Sequence, residues 1–233
     1  MASRVGPVRV LSVTHGPSVP GGVFEEVVTA AGHDLERWTV SLGGGPPPSS
    51  CDAIMVFGGS MHPDEDESFE WLARETEFLR SVLASATPVI GVCLGAQMLA
   101  RASGAWVGPA AAPEIGWHPV ELTAEGRADT VLGVLPQTAV VLQWHHYAFG
   151  MPDRGVELAR SDVCSQAFRL GRAWGIQFHA EVTPAMVEAW ASEDPDDLPG
   201  GRESFLAETA ARIDAWNEQG RLLCSAFLDA ASS

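Results

Sequence analysis

Apolar residues in the first half of the chain form short continuous runs, separated by stretches with helical spacing. The runs at 8–13, 53–57 and 87–92 contain few polar residues, which is typical of strands buried on both faces of a sheet. Apolar residues recur every three or four positions at 23–31 and 69–85, which predicts helices. Strands alternating with helices predict an α/β fold whose twisted, mostly parallel sheet has helices on both faces.

The remaining strands and helices are predicted from weaker patterns. A second strand is predicted at 35–40 and a helix at 94–102. The middle of the chain is richer in extended segments, with strands predicted at 117–122, 139–142, 156–159, 167–170 and 173–178. Two helices are predicted near the end, at 204–217 and 220–230.

Composition shifts along the chain suggest one main domain. Residues 43–50 are rich in Gly and Pro and predict a loop, but the segment is too short to be read as a domain linker. We predict a catalytic domain over residues 1–190 and a helical extension over 191–233 that packs on the same domain.

Overall composition bounds the class of protein. The hydrophobic fraction of 46% is ordinary for a globular protein, and no run approaches the ~20 apolar residues of a membrane span. The first apolar stretch is interrupted by Arg9 and is too short for a signal peptide, so we expect a cytoplasmic protein. A net charge of −16 argues against a nucleic-acid partner, because phosphate backbones require a basic face.

All 14 basic residues are Arg, and the sequence contains no Lys. This excludes a phosphate-binding P-loop, a pyridoxal-phosphate Schiff base and the strand lysine of protein kinases. We therefore expect no cofactor and no ATP hydrolysis by these devices.

The four cysteines are scattered, at Cys51, Cys93, Cys164 and Cys224. Their spacing suggests neither a zinc site nor a disulfide framework, so we predict no metal. An intracellular Cys is by default a small buried apolar residue, and only Cys93 lies in a motif.

Cys93 stands between a predicted buried strand and a predicted helix, in the segment GVCLGAQ at 91–97. Gly91 and Gly95 flank it at two residues on either side, which is the spacing of a nucleophile elbow with Cys in place of Ser. A helix N-terminus favours the thiolate, and the N–H of Leu94 would face a developing oxyanion. The alternative is a buried Cys in a tight turn.

A candidate base with an orienting carboxylate occurs in the segment GIQFHAE at 175–181. His179 and Glu181 are two residues apart at a strand end, so their side chains point the same way in an extended backbone. A carboxylate beside an imidazole fixes its tautomer and stabilises the imidazolium. The alternative is an unrelated surface His and Glu.

Together these segments resemble the class I glutamine amidotransferases, especially stand-alone proteins similar to the glutaminase domain of GMP synthetase. The resemblance runs from about Val8 to Trp190. It rests on FGGSM at 57–61, GVCLGAQ at 91–97, EIGW at 114–117, WH at 144–145, QAF at 166–168 and QFHAEVTP at 177–184. It implies a flavodoxin-like architecture and a Cys93–His179–Glu181 triad that cleaves glutamine through a glutamyl thioester.

The resemblance also implies roles for residues around the triad. Gly59 and Leu94 would supply oxyanion N–H groups, and Gly58 would allow the loop to approach the substrate closely. Contacts to the substrate would come from Gln97 and from the backbone of Gln166, Ala167 and Phe168.

The sequence departs from the family pattern in two places. The family commonly carries an acidic residue two positions after the His of the WH segment, where this chain has Tyr147. The usual Pro between the catalytic His and Glu is Ala180. The first departure affects the expected substrate recognition, and the second only relaxes the backbone.

Three functions remain open from the sequence. The protein is expected to release ammonia from glutamine for a separate synthetase, because the last fifty residues predict only two helices. The first alternative is a free-standing hydrolase of γ-glutamyl amides or peptides. The second is a catalytically inactive binding or regulatory module on the same fold.

Overall fold

Nine strands form one sheet in the computed structural model, which describes residues 6–43 and 50–233. The strands are β1 (Arg9–Thr14), β2 (Asp34–Thr39), β3 (Ala53–Val56), β4 (Val89–Val92), β5 (Val107–Leu122), β6 (Thr138–Phe149), β7 (Val156–Arg160), β8 (Ser165–Leu170) and β9 (Ala173–Ile176). The helices are α1 (Gly22–Ala30), α2 (Trp71–Ser85), α3 (Leu94–Ala102), α4 (Ala124–Ala128), α5 (Pro184–Glu193) and α6 (Arg202–Ser232). Short 3₁₀ turns occupy Val40–Leu42, Leu132–Val134 and Pro195–Asp197.

The sheet is mixed, with the strand order β2-β1-β3-β4-β9-β8-β7-β5-β6. Neighbours from β2 to β9 pair in parallel, whereas neighbours from β9 to β6 pair antiparallel. The prediction of an α/β fold is confirmed, but the prediction of a mostly parallel sheet is wrong for its second half. The connections from β7 to β8 and from β8 to β9 are too short for the crossover that parallel strands require.

Helices cover both faces, and the strand residues alternate between two apolar clusters. Val10, Met55 and Ile90 pack in one cluster, together with residues of α1, α5 and α6. Their sequence neighbours Leu11 and Ile54 pack in the other, together with residues of α2 and α3. This alternation is the pleat of strands buried on both faces, as the continuous apolar runs predicted.

Two predicted pairs of elements differ from the structure. The strands predicted at 117–122 and 139–142 are parts of the long partners β5 and β6, whose register shifts between Pro109 and Glu114. The two predicted C-terminal helices are one continuous helix, α6, with Gly220 inside it. A Cβ at Gly220 would overlap the carbonyl oxygen of Ala180, so this glycine permits close packing and does not end a helix.

Of the loop predicted at 43–50, positions 44–49 lie outside the described residues. Residue 190 lies inside α5, and residues of α6 share an apolar cluster with the strands. The division of the chain at residue 190 stays a prediction, as does its cytoplasmic location. Among the described residues, no helix combines the length and apolar character needed to cross a bilayer.

Candidate active site

Cys93 occupies the single-residue turn between β4 and α3. Its φ of 53° is unusual for a residue with a Cβ. The turn is tightly packed, because a Cβ at Gly95 would overlap the Val56 carbonyl oxygen and one at Gly91 would meet the Gly95 carbonyl group. The two flanking glycines are therefore required by close backbone approach, as the spacing in the sequence predicted.

His179 and Glu181 follow β9 and form a buried pair. The Nδ1 atom of His179 lies 2.8 Å from Oε1 of Glu181. A Cβ built on Gly58 would lie 3.2 Å from Cε1 of His179 and 3.7 Å from Cβ of Cys93. The structure thus brings the thiol, the imidazole and the carboxylate together around the Gly58 backbone, although Cys93 and His179 are 86 positions apart in the sequence.

The electrostatics of this group favour a charged imidazole. Burial disfavours the imidazolium, but the charge of Glu181 and the charge and hydrogen bond of Cys93 outweigh it and raise the pKa of His179 to about 10. His179 is therefore protonated at neutral pH. Trp190 packs edge-on against the His179 ring, with centroids 4.8 Å apart.

The backbone that carries His179 and Glu181 is held from several sides. The N–H of His179 donates to the Leu142 carbonyl at 2.9 Å. The carbonyl of His179 accepts from Nε1 of Trp216 at 2.7 Å, and that of Glu181 accepts from the Val23 N–H at 2.8 Å. Two helices that lie far away in the sequence therefore fix the segment, α1 through Val23 and α6 through Trp216.

Cys93 opens into two adjoining cavities. The first lies on the His179 side and is lined by His15, Gly16, Ser18, Val19, Trp144, His179, Trp190, Glu193 and Asp194. The second is lined by His62, Leu94, Gln97, Trp144, His145, His146, Tyr147, Asp194 and Asp197. Both cavities share Gly59, Ser60 and Met61. The thiol thus has space for one part of a substrate on either side.

Gly59 and Leu94 lie next to each other beside Cys93. A Cβ on Gly59 would come within 2.8 Å of Cδ2 of Leu94. Across residues 6–43 and 50–233, neither backbone N–H donates to a protein acceptor. The Leu94 N–H lies at the N-terminus of α3 and the Gly59 N–H in the loop after β3. Backbone N–H groups without a protein acceptor, beside a nucleophile, can bind a negatively charged oxygen.

The predicted substrate-binding residues divide into two groups. Gln97 and Tyr147 line the second cavity, and the Gln97 amide donates to the Tyr147 carbonyl at 2.9 Å. Gln166, Ala167 and Phe168 are buried in β8, where the Gln166 carbonyl accepts from the Gln177 N–H at 2.8 Å. The latter three line neither cavity, so the structure does not bring them to the predicted substrate site.

Glu114, His145 and Cys164 form a group of metal-ligand type that the sequence spacing did not reveal. The carboxylate of this group already takes part in hydrogen bonds within the protein, since Oε2 of Glu114 accepts from Ser161, Cys164 and Gln166. Burial and the neighbouring carboxylate raise the pKa of Cys164 to about 12, so its thiol is protonated at neutral pH. A metal would have to displace that proton.

His15 is a further residue at the site that the sequence analysis missed. Its ring is buried, lines the first cavity, and contacts Gly58 and Glu75. His15 follows β1, just as Gly58 follows β3, Cys93 follows β4 and His179 follows the strand β9. Ligands of open α/β sheets bind beyond the carboxyl ends of the strands, so this rule applied to β1 could have found it.

The fold and cavities place the chain among α/β proteins with a cysteine at a strand–helix turn facing an imidazole. The sequence profile described as "Glutamine amidotransferase class-I" matches residues 35–189. The chain belongs to the class I glutamine amidotransferase family.

Relatives in sequence and structure agree with this assignment. The glutamine amidotransferase-like protein YfeJ of Salmonella typhimurium is 28% identical over 220 residues, covering 91% of this chain and 92% of that protein. One subunit of the glutamine-hydrolysing GMP synthase of Ignicoccus hospitalis is 28% identical over 182 residues, covering 75% and 89%. The crystal structure of a glutamine amidotransferase from Thermotoga maritima superposes with a TM-score of 0.87 at 26% identity, covering 96% of this chain and 99% of that one.

Proposed function

We propose that this protein hydrolyses the γ-carboxamide of glutamine, with Cys93 as nucleophile, His179 as general acid and base, and Glu181 orienting His179. The observation that carries the proposal is the convergence, around Cys93 and its two adjoining cavities, of a thiol, an imidazole–carboxylate pair and the unpaired backbone N–H groups of Gly59 and Leu94. Each belongs to the machinery of acyl transfer. Intact groups of all three kinds argue against an inactive binding module.

The chemistry follows from the positions of these groups. With its proton held on His179, the Cys93 sulfur attacks the γ-carbonyl carbon as the thiolate, and the negative charge that develops on the oxygen is stabilised by the N–H groups of Gly59 and Leu94. The carbon–nitrogen bond breaks as the imidazolium of His179 gives its proton to the leaving nitrogen, so ammonia departs. Water then attacks the glutamyl thioester, His179 accepts the water's proton, and the sulfur leaves to give glutamate.

The fate of the ammonia is the second part of the proposal. A relative is named as a separate subunit of GMP synthase, which supports transfer of ammonia to a partner synthetase. We infer that such a partner docks near the first cavity, because the leaving nitrogen must lie on the side of His179.

A free-standing γ-glutamyl amide hydrolase is favoured by one observation. The first cavity has a volume of about 100 Å³. Ammonia is about the size of a water molecule, which needs roughly 10–15 Å³ of cavity volume measured in this way. A leaving group larger than ammonia therefore fits on the His179 side, next to Trp144 and Trp190.

The deciding experiment supplies the purified protein with glutamine, γ-glutamyl methylamide and γ-glutamyl p-nitroanilide, and measures glutamate formation. Turnover of glutamine above the two amides supports the amidotransferase role, and the reverse order supports the free-standing hydrolase. Absence of turnover on all three, in the presence and absence of candidate synthetases, would leave the binding module as the better description.

The nucleophile is tested by labelling with a glutamine-derived chloroketone. We expect modification of Cys93 alone, because burial raises the pKa of Cys51, Cys164 and Cys224 and keeps their thiols protonated. Cys93→Ala should abolish turnover, whereas the control Cys51→Ser should not. Labelling at another cysteine, or an active Cys93→Ala protein, contradicts the assignment.

The other two members of the triad are tested by substitution. His179→Ala should lose most of the activity, since it removes the imidazole that lies beside the Cys93 thiol. Glu181→Gln should lose less, because the orienting carboxylate is often the least critical member of a triad. Near-normal turnover by His179→Ala would show that the base has been misassigned.

A further inference from the structure

His15 makes two opposed contacts from the wall of the first cavity. Its side chain is fully buried and lies parallel to the Trp71 ring, with centroids 5.3 Å apart. Nδ1 lies 2.9 Å from the carbonyl oxygen of Gly58. Nε2 lies 3.0 Å from each carboxylate oxygen of Glu75, which is itself fully buried on α2.

With Glu75 ionised, both partners of the ring are acceptors, so both ring nitrogens donate. An imidazole that donates from both nitrogens is the imidazolium. Burial opposes that charge, but Glu75 and the backbone carbonyls outweigh it and raise the pKa of His15. The result is a buried ion pair directly behind the Gly58–Gly59 peptide.

The contact to Gly58 fixes the direction of the next N–H group. The structure contains no cis peptide among its described residues, so the Gly58 C=O and the Gly59 N–H are antiparallel in one plane. A donor that holds this carbonyl on the His15 side therefore holds the Gly59 N–H on the opposite side. Gly59 has no side chain that could hold the plane in another way, and its Cβ position lies 3.0 Å from Cβ of His15.

We propose that His15, charged and held by Glu75, is a positioning residue that directs the Gly59 N–H into the oxyanion site beside Cys93. This inference rests on the proposed hydrolysis and adds His15 and Glu75 to the residues that support it. A buried ion pair stabilises a fold little or not at all compared with apolar side chains, so stability alone does not account for its presence at the cavity wall.

Two amide substitutions separate the contacts of His15. In His15→Asn, the side-chain amide nitrogen takes the place of Nδ1 and still donates to the Gly58 carbonyl. In His15→Gln, the amide nitrogen takes the place of Nε2 and still donates to Glu75. Outright loss of an oxyanion donor lowers kcat by about 10²–10³. We expect His15→Gln to lower kcat for the best γ-glutamyl substrate by about 10- to 100-fold, with KM changed less than about threefold.

His15→Asn should recover at least half of that loss on a logarithmic scale, although it removes the contact with Glu75. Alkylation of Cys93 by iodoacetamide develops no carbonyl oxyanion, so its rate should agree within about twofold in the native protein and both variants. His33→Gln, a histidine outside both cavities, is the matched control for loss of a ring.

The outcomes are distinguishable. Equal kcat in the native protein and His15→Gln, or a greater loss in His15→Asn than in His15→Gln, overturns the inference and leaves the proposed hydrolysis intact. A parallel fall in alkylation and hydrolysis shows that the whole site is distorted, and it also overturns the specific role in the oxyanion site. No turnover by the native protein on any γ-glutamyl amide overturns the proposed function and this inference with it.

Discussion

The backbone at Cys93 shows how one residue is held in an unfavourable conformation. A positive φ costs a residue with a Cβ about 1–3 kcal/mol and persists only where the surroundings over-determine it. Here the Cys93 N–H donates to the Ile176 carbonyl at 2.8 Å, and the Cys93 carbonyl accepts from the Gln97 N–H at 3.1 Å. The strand on one side and the helix on the other therefore fix the direction of the thiol.

At the same scale, the charge on His179 predicts a pH dependence. Its folded pKa of about 10 lies above its ordinary value of 6.5, so the imidazolium stabilises the folded state. This contribution is complete below about pH 6.5 and is lost as the pH rises towards 10. As the pH rises through this range, the free energy of unfolding of the native protein should therefore fall relative to that of His179→Gln. Urea titrations at a series of pH values measure the difference.

The same titration can be followed directly by NMR of the imidazole resonances. Cys93→Ala and Glu181→Gln each remove a group that raises the pKa of His179, so both should lower that pKa. His118 lines neither cavity and serves as the internal control. A His179 pKa that is unchanged in both variants contradicts this account of the charge.

Tyr147 replaces the acidic residue expected at this position and lines the second cavity. Its ring stacks on His62 at 3.9 Å, and partial desolvation with nearby Asp64 and Glu65 raises its pKa, so it carries no charge at neutral pH. An acid here would pair with the α-ammonium group of glutamine, and such a pair is worth about 1–3 kcal/mol.

We therefore expect weak activity of the native protein on free glutamine and a rise of about tenfold in kcat/KM in Tyr147→Asp. Tyr147→Phe keeps the ring and should behave as the native protein. Unchanged or lower kcat/KM in Tyr147→Asp, with a native enzyme already efficient on glutamine, rejects the lost-charge account. Asp197, which lines the same cavity, would then be the candidate partner of the ammonium group.

Among the elements, α6 has the most direct relation to the site. Trp216 donates to the His179 carbonyl, Asn217 donates to the Val182 carbonyl at 2.6 Å, and Gly220 packs against Ala180. These three positions share one face of the helix, so a single packed element holds the backbone on both sides of the imidazole–carboxylate pair.

This packing predicts the effect of Gly220→Ala. In an isolated helix the change should stabilise by about 1 kcal/mol. Here the new Cβ overlaps the Ala180 carbonyl oxygen, so we expect the free energy of unfolding to fall by about 1–3 kcal/mol. Urea unfolding measures the change, and kcat should fall with it because Ala180 lies between His179 and Glu181. The exposed Asp214→Ala on the same helix is the control, and a stabilised Gly220→Ala protein would contradict the packing argument.

At the scale of the whole molecule, the parallel half of the sheet supplies most residues of the site, and the antiparallel half supplies a further wall. His15, Gly58, Cys93 and His179 all follow strands of the parallel half, at one edge of the sheet. Trp144 comes from β6 of the antiparallel half, and its carbonyl lies 3.8 Å from the Cys93 sulfur. The cavity therefore depends on both halves of the sheet.

The absence of Lys from the whole chain predicts that the purified protein does not hydrolyse ATP. Phosphate release should stay at the background rate, and added ATP should not change glutamate formation by this protein alone. ATP turnover that follows the protein through successive purification steps would contradict the prediction.

Elements with a local signal are predictable from the sequence alone. Continuous apolar runs predicted β1, β3 and β4, because strands buried on both faces have no polar positions to alternate. The flanking glycines of Cys93 and the two-residue spacing of His179 and Glu181 likewise depend on short-range geometry, and both were visible in the sequence.

Other features depend on packing between distant parts of the chain and leave no clear local pattern. The antiparallel half of the sheet and the length of β5 and β6 are set by strand pairing, which leaves a weak local pattern. Gly220 suggested a break between helices, but its reason is the carbonyl of Ala180, forty residues earlier (220 − 180). His15 and Glu75 are sixty residues apart and belong to no motif, because their role exists only where β1, β3 and α2 meet.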